Sequence, residues 1–363
     1  MPKRVSFDRW LFITTLLLIF IGLVMIFSAS AVMAKERFGS PYGFLLRQLV
    51  GAAIGLALMA LTMHIDYKRW KSPAAVFSLL GVTTLLLISV FFLDRAHHTH
   101  RWFRFGPISF QPSELAKPAI ILFLAYFLAT RVKTMTDARN TLLPAVAPTF
   151  MFVCLIVFQP DLGTALACLG ITACVLFIAG APLQYFGFSF VFSLLPLYFL
   201  IWKFPYRMAR ITAFMHPDRD RLGAAFHINQ SLIAVATGGM GGKGLMEGKQ
   251  KLFYLPEPHT DFIFAVIAEE FGLLGSMLVV ALFAIFLWRG ARVVFRTQDP
   301  FGRYLAAGIT SMIALQAFIN VSVVLGMMPT KGIPLPLVSY GGSSLVVTLA
   351  SIGVLLNISR QTE

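Results

Sequence analysis

The chain has 363 residues, 58% of them hydrophobic, with a mean hydropathy of +0.79 and a formal net charge of +14. No soluble domain of this length needs so much apolar residue, so the composition excludes a soluble globular protein and points to an all-α polytopic membrane protein. A transmembrane barrel is excluded as well, because barrel strands alternate apolar and polar residues, whereas this chain runs continuously apolar. Nucleic acid is not an expected partner, since no soluble basic domain exists to hold it.

Apolar runs of about 18 residues or more read as membrane spans. They fall at 10–33, 44–63, 74–93, 113–130, 142–158, 162–179, 186–202, 261–288, 301–327 and 343–358. This predicts ten transmembrane helices in a single membrane domain over 1–363, without a tandem repeat. The first run is too long for a signal peptide, and no cleavage signature follows it.

Short-loop charge sets the orientation. Lys3, Arg4 and Arg9 precede the first span; Lys68, Arg69 and Lys71 follow the second. Arg131, Lys133 and Arg139 follow the fourth, and Arg289, Arg292 and Arg296 follow the eighth. With ten spans, all these clusters lie on one face, the cytoplasmic one, together with both termini.

The opposite face carries two long loops, about 94–112 and 203–260, the second between helices 7 and 8. Loops of this length are usually functional. Both are basic: Arg95, Arg101 and Arg104 in the first; Lys203, Arg207, Arg210, Arg219, Arg221, Lys243, Lys249 and Lys251 in the second. Anionic lipid headgroups explain such a surface, and so does a phosphorylated, lipid-linked ligand. Residues 223–237 read as an amphipathic helix lying in the interface. Residues 238–248, GGMGGKGLMEG, read as a flexible turn-rich loop with no phosphate-loop signature.

Several polar groups stand at the mouths of spans. Gln111 and Pro112 start a helix on which Glu114 and Lys117 are three apart and share a face. They either neutralise each other or give a phosphate contact at Lys117 positioned by Glu114. His97, His98 and His100 beside Asp94 are either solvated or metal-binding. Asp161, in a short turn, suits an N-cap. In PTKGIPLPLVSYGGSS, three prolines block a helix, Lys331 adds charge, and Ser343 lies in the opening turn of the last span, where free amides suit an anion. Cys154, Cys168 and Cys174 fall inside spans without metal or disulfide spacing.

Asp261 carries the sharpest expectation. It stands where a polar stretch meets an apolar run, and it is either the cap of the eighth helix or a base whose proton affinity is raised by apolar surroundings. Glu269 and Glu270 lie further along. A continuous helix puts them roughly 12–14 Å deeper, and a break at Gly272 or Gly275 leaves the stretch nearer the surface.

The segments RWFRFGPISFQPSELAK (101–117), FQPDLGT (158–164), QKLFYLPEPHTDFIF (250–264) and MMPTKGIPLPLVSYGGSS (327–344), in that order, resemble the SEDS family (shape, elongation, division and sporulation). The resemblance covers nearly the whole chain. It implies a peptidoglycan glycosyltransferase that polymerises lipid II on the outer face of the bacterial plasma membrane. It also implies a class B penicillin-binding protein, a transpeptidase, as partner, and further division or elongation proteins. The family's catalytic aspartate falls on Asp261 and its polar cavity residues on Glu114 and Lys117; Arg101, Lys331 and Ser343 join them as candidate substrate contacts. A divalent cation such as Mg2+ is implied without a readable ligand set. QKLFYLPEPHTDF and Thr330-Lys331-Gly332 look more like the division branch, FtsW, and Ile333-Pro334 closer to the elongation branch, RodA. The rival readings are an elongation polymerase, a lipid II flippase and a scaffold that activates a transpeptidase.

Overall fold

A computed structural model of the chain describes residues 7–93, 101–105, 108–217, 223, 225–252 and 254–362. The helices are α1 (Arg9–Phe38), α2 (Gly43–His64), α3 (Pro73–Leu93), α4 (Pro112–Ala129), α5 (Leu143–Phe158), α6 (Leu162–Ile178), α7 (Leu183–Trp202), α8 (Pro205–Met215), α9 (Phe226–Gly238), α10 (Ile263–Arg296), α11 (Pro300–Val324) and α12 (Gly342–Gln361). A hairpin of β1 (Phe103–Phe105) and β2 (Ile108–Phe110) precedes α4, with Phe103 opposite Phe110. Eight helical stretches among the described residues are long and apolar enough to cross a membrane: α1 to α4, Ala138–Phe158 (α5 with the π-helical turn that leads into it) and α10 to α12. They match the first five and last three predicted spans. The sixth and seventh positions hold α6 and α7, whose apolar stretches Leu162–Ile178 and Leu183–Phe199 are shorter.

α4, α11 and α12 are the most enclosed of these helices, and Phe152, Phe286 and Phe301 are among the largest fully buried side chains. α7 is the opposite case: Phe188, Phe190, Phe192 and Leu195 are all exposed, as expected of a helix that faces lipid.

One end of the bundle is tied by Asp8. Its carboxylate caps α1 through Trp10 N and Leu11 N (3.0 and 3.1 Å) and pairs with Arg289 at 2.5 Å, while its N–H donates to Ser359 Oγ at 3.1 Å. The Tyr67 N–H donates to Asn357 Oδ1 at 2.9 Å. The start of α1, the end of α10, the end of α12 and the α2–α3 turn therefore share one end, as the charge pattern predicts for Arg9, Lys68 and Arg289.

The predicted eighth span, 261–288, matches the apolar run of α10 but is not one continuous helix. α10 breaks at Gly272, whose φ of 64° and ψ of −157° lie outside the helical region. The stretch 273–296 alone reaches ~36 Å at 1.5 Å per residue, enough to cross a ~30 Å hydrocarbon core. Residues 263–271 form a separate short rod.

The glycine-rich stretch predicted to be flexible is what fills the break. Lys243 N and Gly244 N donate to the carbonyls of Glu269 and Glu270 (3.1 and 2.9 Å), while Leu273 N and Leu274 N donate to Gly239 O and Met240 O (2.9 and 3.3 Å). Backbone groups freed at the break are thus paired, as a buried chain requires. The approach is possible only without side chains. A Cβ at Gly242, where φ is +80°, would meet Glu270 O at 2.1 Å.

The loop also neutralises both acidic residues of the short rod. Glu269 accepts from Lys243 Nζ (2.8 Å), Lys249 N (3.0 Å) and Gln250 N (3.1 Å). Glu270 accepts from Lys251 Nζ (2.5 Å), Ser28 Oγ of α1 (2.7 Å) and Met246 N (3.1 Å). Lys243 and Lys251, which the sequence offers as part of a basic outer surface, are structural counterions.

Two outcomes check this arrangement in thermal unfolding of the purified protein. Gly242→Ala should destabilise by more than ~2 kcal/mol, through left-handed strain and a backbone clash, whereas Gly241→Ala, whose Cβ meets nothing within 4 Å, should be near neutral. Glu270→Ala strands the buried Lys251 ammonium and should cost about 3–5 kcal/mol.

Candidate active site

At the other end of the bundle, five segments line a cavity of about 290 Å3, among them α7 through Leu197 and Ile201. Arg101 reaches it from the stretch before β1, and Asp161 from the α5–α6 turn. Tyr206, Arg207 and Arg210 come from α8, and Lys331 from the proline-rich stretch between α11 and α12. Arg207 and Arg210 are three apart and share a helical face. The cavity therefore concentrates cations around one acidic group, a field that favours an anionic ligand.

Each wall has a local cause. Asp161 caps α6 by accepting from Thr164 N at 3.1 Å, as predicted, and its other oxygen accepts from Thr164 Oγ1 and Gln111 Nε2 (2.8 and 3.1 Å). The Arg101 guanidinium donates to the carbonyls of Gln159 (2.7 Å) and Pro160, joining the hairpin segment to the α5–α6 turn. Pro329, Pro334 and Pro336 keep the stretch before α12 non-helical. The Lys331 ammonium has no hydrogen-bond or ion-pair partner among the described residues. Burial lowers its proton affinity, and an incoming anion would restore it.

Asp261 adjoins the cavity through Gly332. A Cβ at that glycine would stand 3.2 Å from Asp261 Oδ2, so only a residue without a side chain leaves the carboxylate uncovered. Asp261 does not cap α10. The helix begins at Ile263 behind Phe262 with no side-chain cap, and no described donor reaches the Asp261 carboxylate. Asp261 is half-buried beside the cavity. Its pKa is pushed up to about 7, chiefly by burial, then by Glu257 and Asp161, against the opposing pull of Arg210 and Arg101. Its neighbour His259 is packed against Phe44 (ring centroids 4.5 Å) and Tyr340 (5.5 Å). Burial and the Arg37 charge lower its pKa to about 4, so it is neutral at pH 7. The backbone of this turn is tied at three consecutive carbonyls: His259 O by Tyr340 N (2.8 Å), Thr260 O by Ser339 Oγ (2.6 Å) and Asp261 O by Asn320 Nδ2 (2.8 Å).

The structure thus brings together Asp261, Arg101 and Lys331. Glu114 and Lys117 form a buried ion pair with each other at 2.8 Å and do not line the cavity. Ser343 is half-buried in the first turn of α12 and does not line it either; the chain just before it is held by Gln48, whose Oε1 accepts from Gly341 N at 3.1 Å. His97, His98, His100, Arg95, Arg219 and Arg221 lie outside the described residues. Among the described residues no three His, Cys, Asp or Glu side chains converge on a common point. They do not make a protein-held site for the implied divalent cation. Asn320, Ser339 and Tyr206 were not singled out from the sequence. An amide in the apolar run of α11, shared with Gln316 one turn earlier, was the available signal for Asn320.

Comparison with known proteins agrees with this layout. The model of the cell cycle protein family of FtsW, RodA and SpoVE matches residues 8–363. Stage V sporulation protein E of Bacillus subtilis is 43% identical, with 99% of each chain covered. A Geobacter protein named probable peptidoglycan glycosyltransferase FtsW is 42% identical, again over 99% of each. A solved chain, from work on structural coordination of polymerization and crosslinking by a peptidoglycan synthase complex, superposes with a TM-score of 0.78 at 30% identity over 98% of each chain. With a cationic cavity beside the Asp261 turn and a family match over almost its full length, the chain belongs to the FtsW, RodA and SpoVE family of cell cycle proteins.

Proposed function

We propose that this chain is a peptidoglycan glycosyltransferase that polymerises lipid II on the outer face of the plasma membrane, for septal synthesis. The observation that carries the mechanism is Asp261: a carboxylate without a hydrogen-bond donor among the described residues, with its pKa raised to about 7, next to a cavity lined by Arg101, Arg207, Arg210 and Lys331.

In the proposed reaction Asp261 takes the proton from the 4-hydroxyl of an acceptor sugar. That oxygen bonds to the anomeric carbon of a lipid-linked donor sugar. The bond from that carbon to the pyrophosphate oxygen breaks, and the electron pair leaves with undecaprenyl pyrophosphate. Negative charge grows on the leaving group, and cations already in place stabilise it. Lys331 and the α8 arginines are assigned to that task. Glu114 and Lys117 are assigned to holding the first turns of α4 behind the cavity, and Ser343 to the polar rim at the start of α12.

The same reading takes α6 and α7 as spans too, which makes ten in one membrane domain, with both termini on the cytoplasmic side and the loops 94–112 and 203–260 outside. Two features support it: the tie between α1, α10 and α12 at one end, and the cationic cavity at the other. A class B penicillin-binding protein is the proposed partner. The solved chain described by coordinated polymerization and crosslinking supports that assignment.

Purified protein supplied with lipid II should make glycan chains, and Asp261→Asn should lose at least ~10²-fold in rate, the usual scale of general-base loss. A flippase would make no chains in detergent, and an active Asp261→Asn protein would remove the base from the mechanism. The pH dependence has a definite sign. The base works ionised, so the rate should rise with pH through about 7 and level off above it. Arg210 favours the ionised form, so Arg210→Met should move this rise to higher pH.

A further inference from the structure

The turn that carries Asp261 and the stretch that carries Lys331 are far apart in sequence, and two side chains bind to both. Asn320 Nδ2 donates to Asp261 O and to Ile333 O, at 2.8 Å each. Ser339 Oγ donates to Thr260 O at 2.6 Å and accepts from Leu335 N at 2.8 Å. Asn320 is 2% exposed and Ser339 6%.

Asn320 is costly where it stands. It interrupts the apolar course of α11, and its Oδ1 is buried without a partner among the described residues. A buried polar atom left unpaired is destabilising, and an apolar residue of similar size would fill the space without that defect. What such a residue could not supply is a pair of N–H donors aimed at two different segments. Ser339 has the same double character, since its one hydroxyl accepts from one backbone group and donates to another, which an apolar side chain cannot do.

We infer that Asn320 and Ser339 are positioning residues for the glycosyl transfer, joining the Asp261 turn to the Lys331 stretch so that base and cation keep a fixed separation. The inference rests on Asp261 as the base. Neither residue touches substrate in this scheme. Both act by holding Asp261 and Lys331 in a productive geometry, where a displacement of ~1 Å can cost ~10²-fold in rate.

The test is steady-state lipid II polymerisation by the full-length protein, with thermal unfolding of each variant recorded alongside. Ser339→Ala should lower kcat about 10- to 100-fold with KM changed less than about twofold. Ser339→Thr keeps the hydroxyl and should return kcat to within about threefold of the parent. Asn320→Leu, close in size and without donors, should reproduce the kcat loss. If Asn320→Leu does not fold, the Ser339 pair decides. Parental kcat in Ser339→Ala, a rise in KM alone, or failure of Ser339→Thr to recover would each overturn the inference. Asp261→Asn is run in parallel. If it is active, the functional reading itself falls. If it is inactive while Ser339→Ala keeps parental kcat, only the positioning role is lost.

Discussion

The break in α10 at Gly272 is the constraint on which the outer half of the molecule rests. A helix cannot be interrupted in an apolar interior unless the freed amides and carbonyls find partners. Residues 239–244 supply them, and the lysines of the same loop meet the two carboxylates that follow Asp261 in the short rod. Because the rod ends at the break, its N-terminal turn can face the cavity while 273–296 crosses the membrane. Without the break, one straight helix would have to do both.

The electrostatics follow from that placement. Asp261 is half-buried and no described residue donates to its carboxylate, so desolvation raises its proton affinity. The arginines beyond Gly332 are near enough to temper the rise but do not bind the carboxylate directly. Glu269 and Glu270, only two to three turns further on, have the reverse treatment, each with a lysine and backbone amides. The same residue chemistry is chemically open in one place and locked in the other, and the difference lies in which donors the loop and Ser28 of α1 bring.

Much of this was legible in the sequence. Apolar run length placed the helices, since the bilayer imposes it locally. Asp261 stood out as a carboxylate at the mouth of an apolar run, and Asp161 as a cap three residues before Thr164. What could not be read depends on partners distant in the chain. The choice between Gly272 and Gly275 as the break is made by residues 239–244, about 30 positions earlier. Glycine marks both slack loops and close backbone contact, so GGMGGKGLMEG was misread as the first when it is the second. The basic outer loop was misread at Lys243 and Lys251, whose counterions follow them in sequence but meet them only in the folded loop. Lys117 pairs with Glu114 three residues away, a spacing that the sequence does display; what it does not display is that the pair stays outside the cavity.

The cross-tie around Asp261 has a consequence for biogenesis. Its donors, Asn320, Ser339 and Tyr340, are translated 59 to 81 residues after the carbonyls they hold. Chains leave the ribosome N-terminus first, so the aspartate emerges well before anything fixes its backbone. A nascent or prematurely terminated polypeptide would carry the acidic residue without its orientation, and competence would arrive only as the last helices insert.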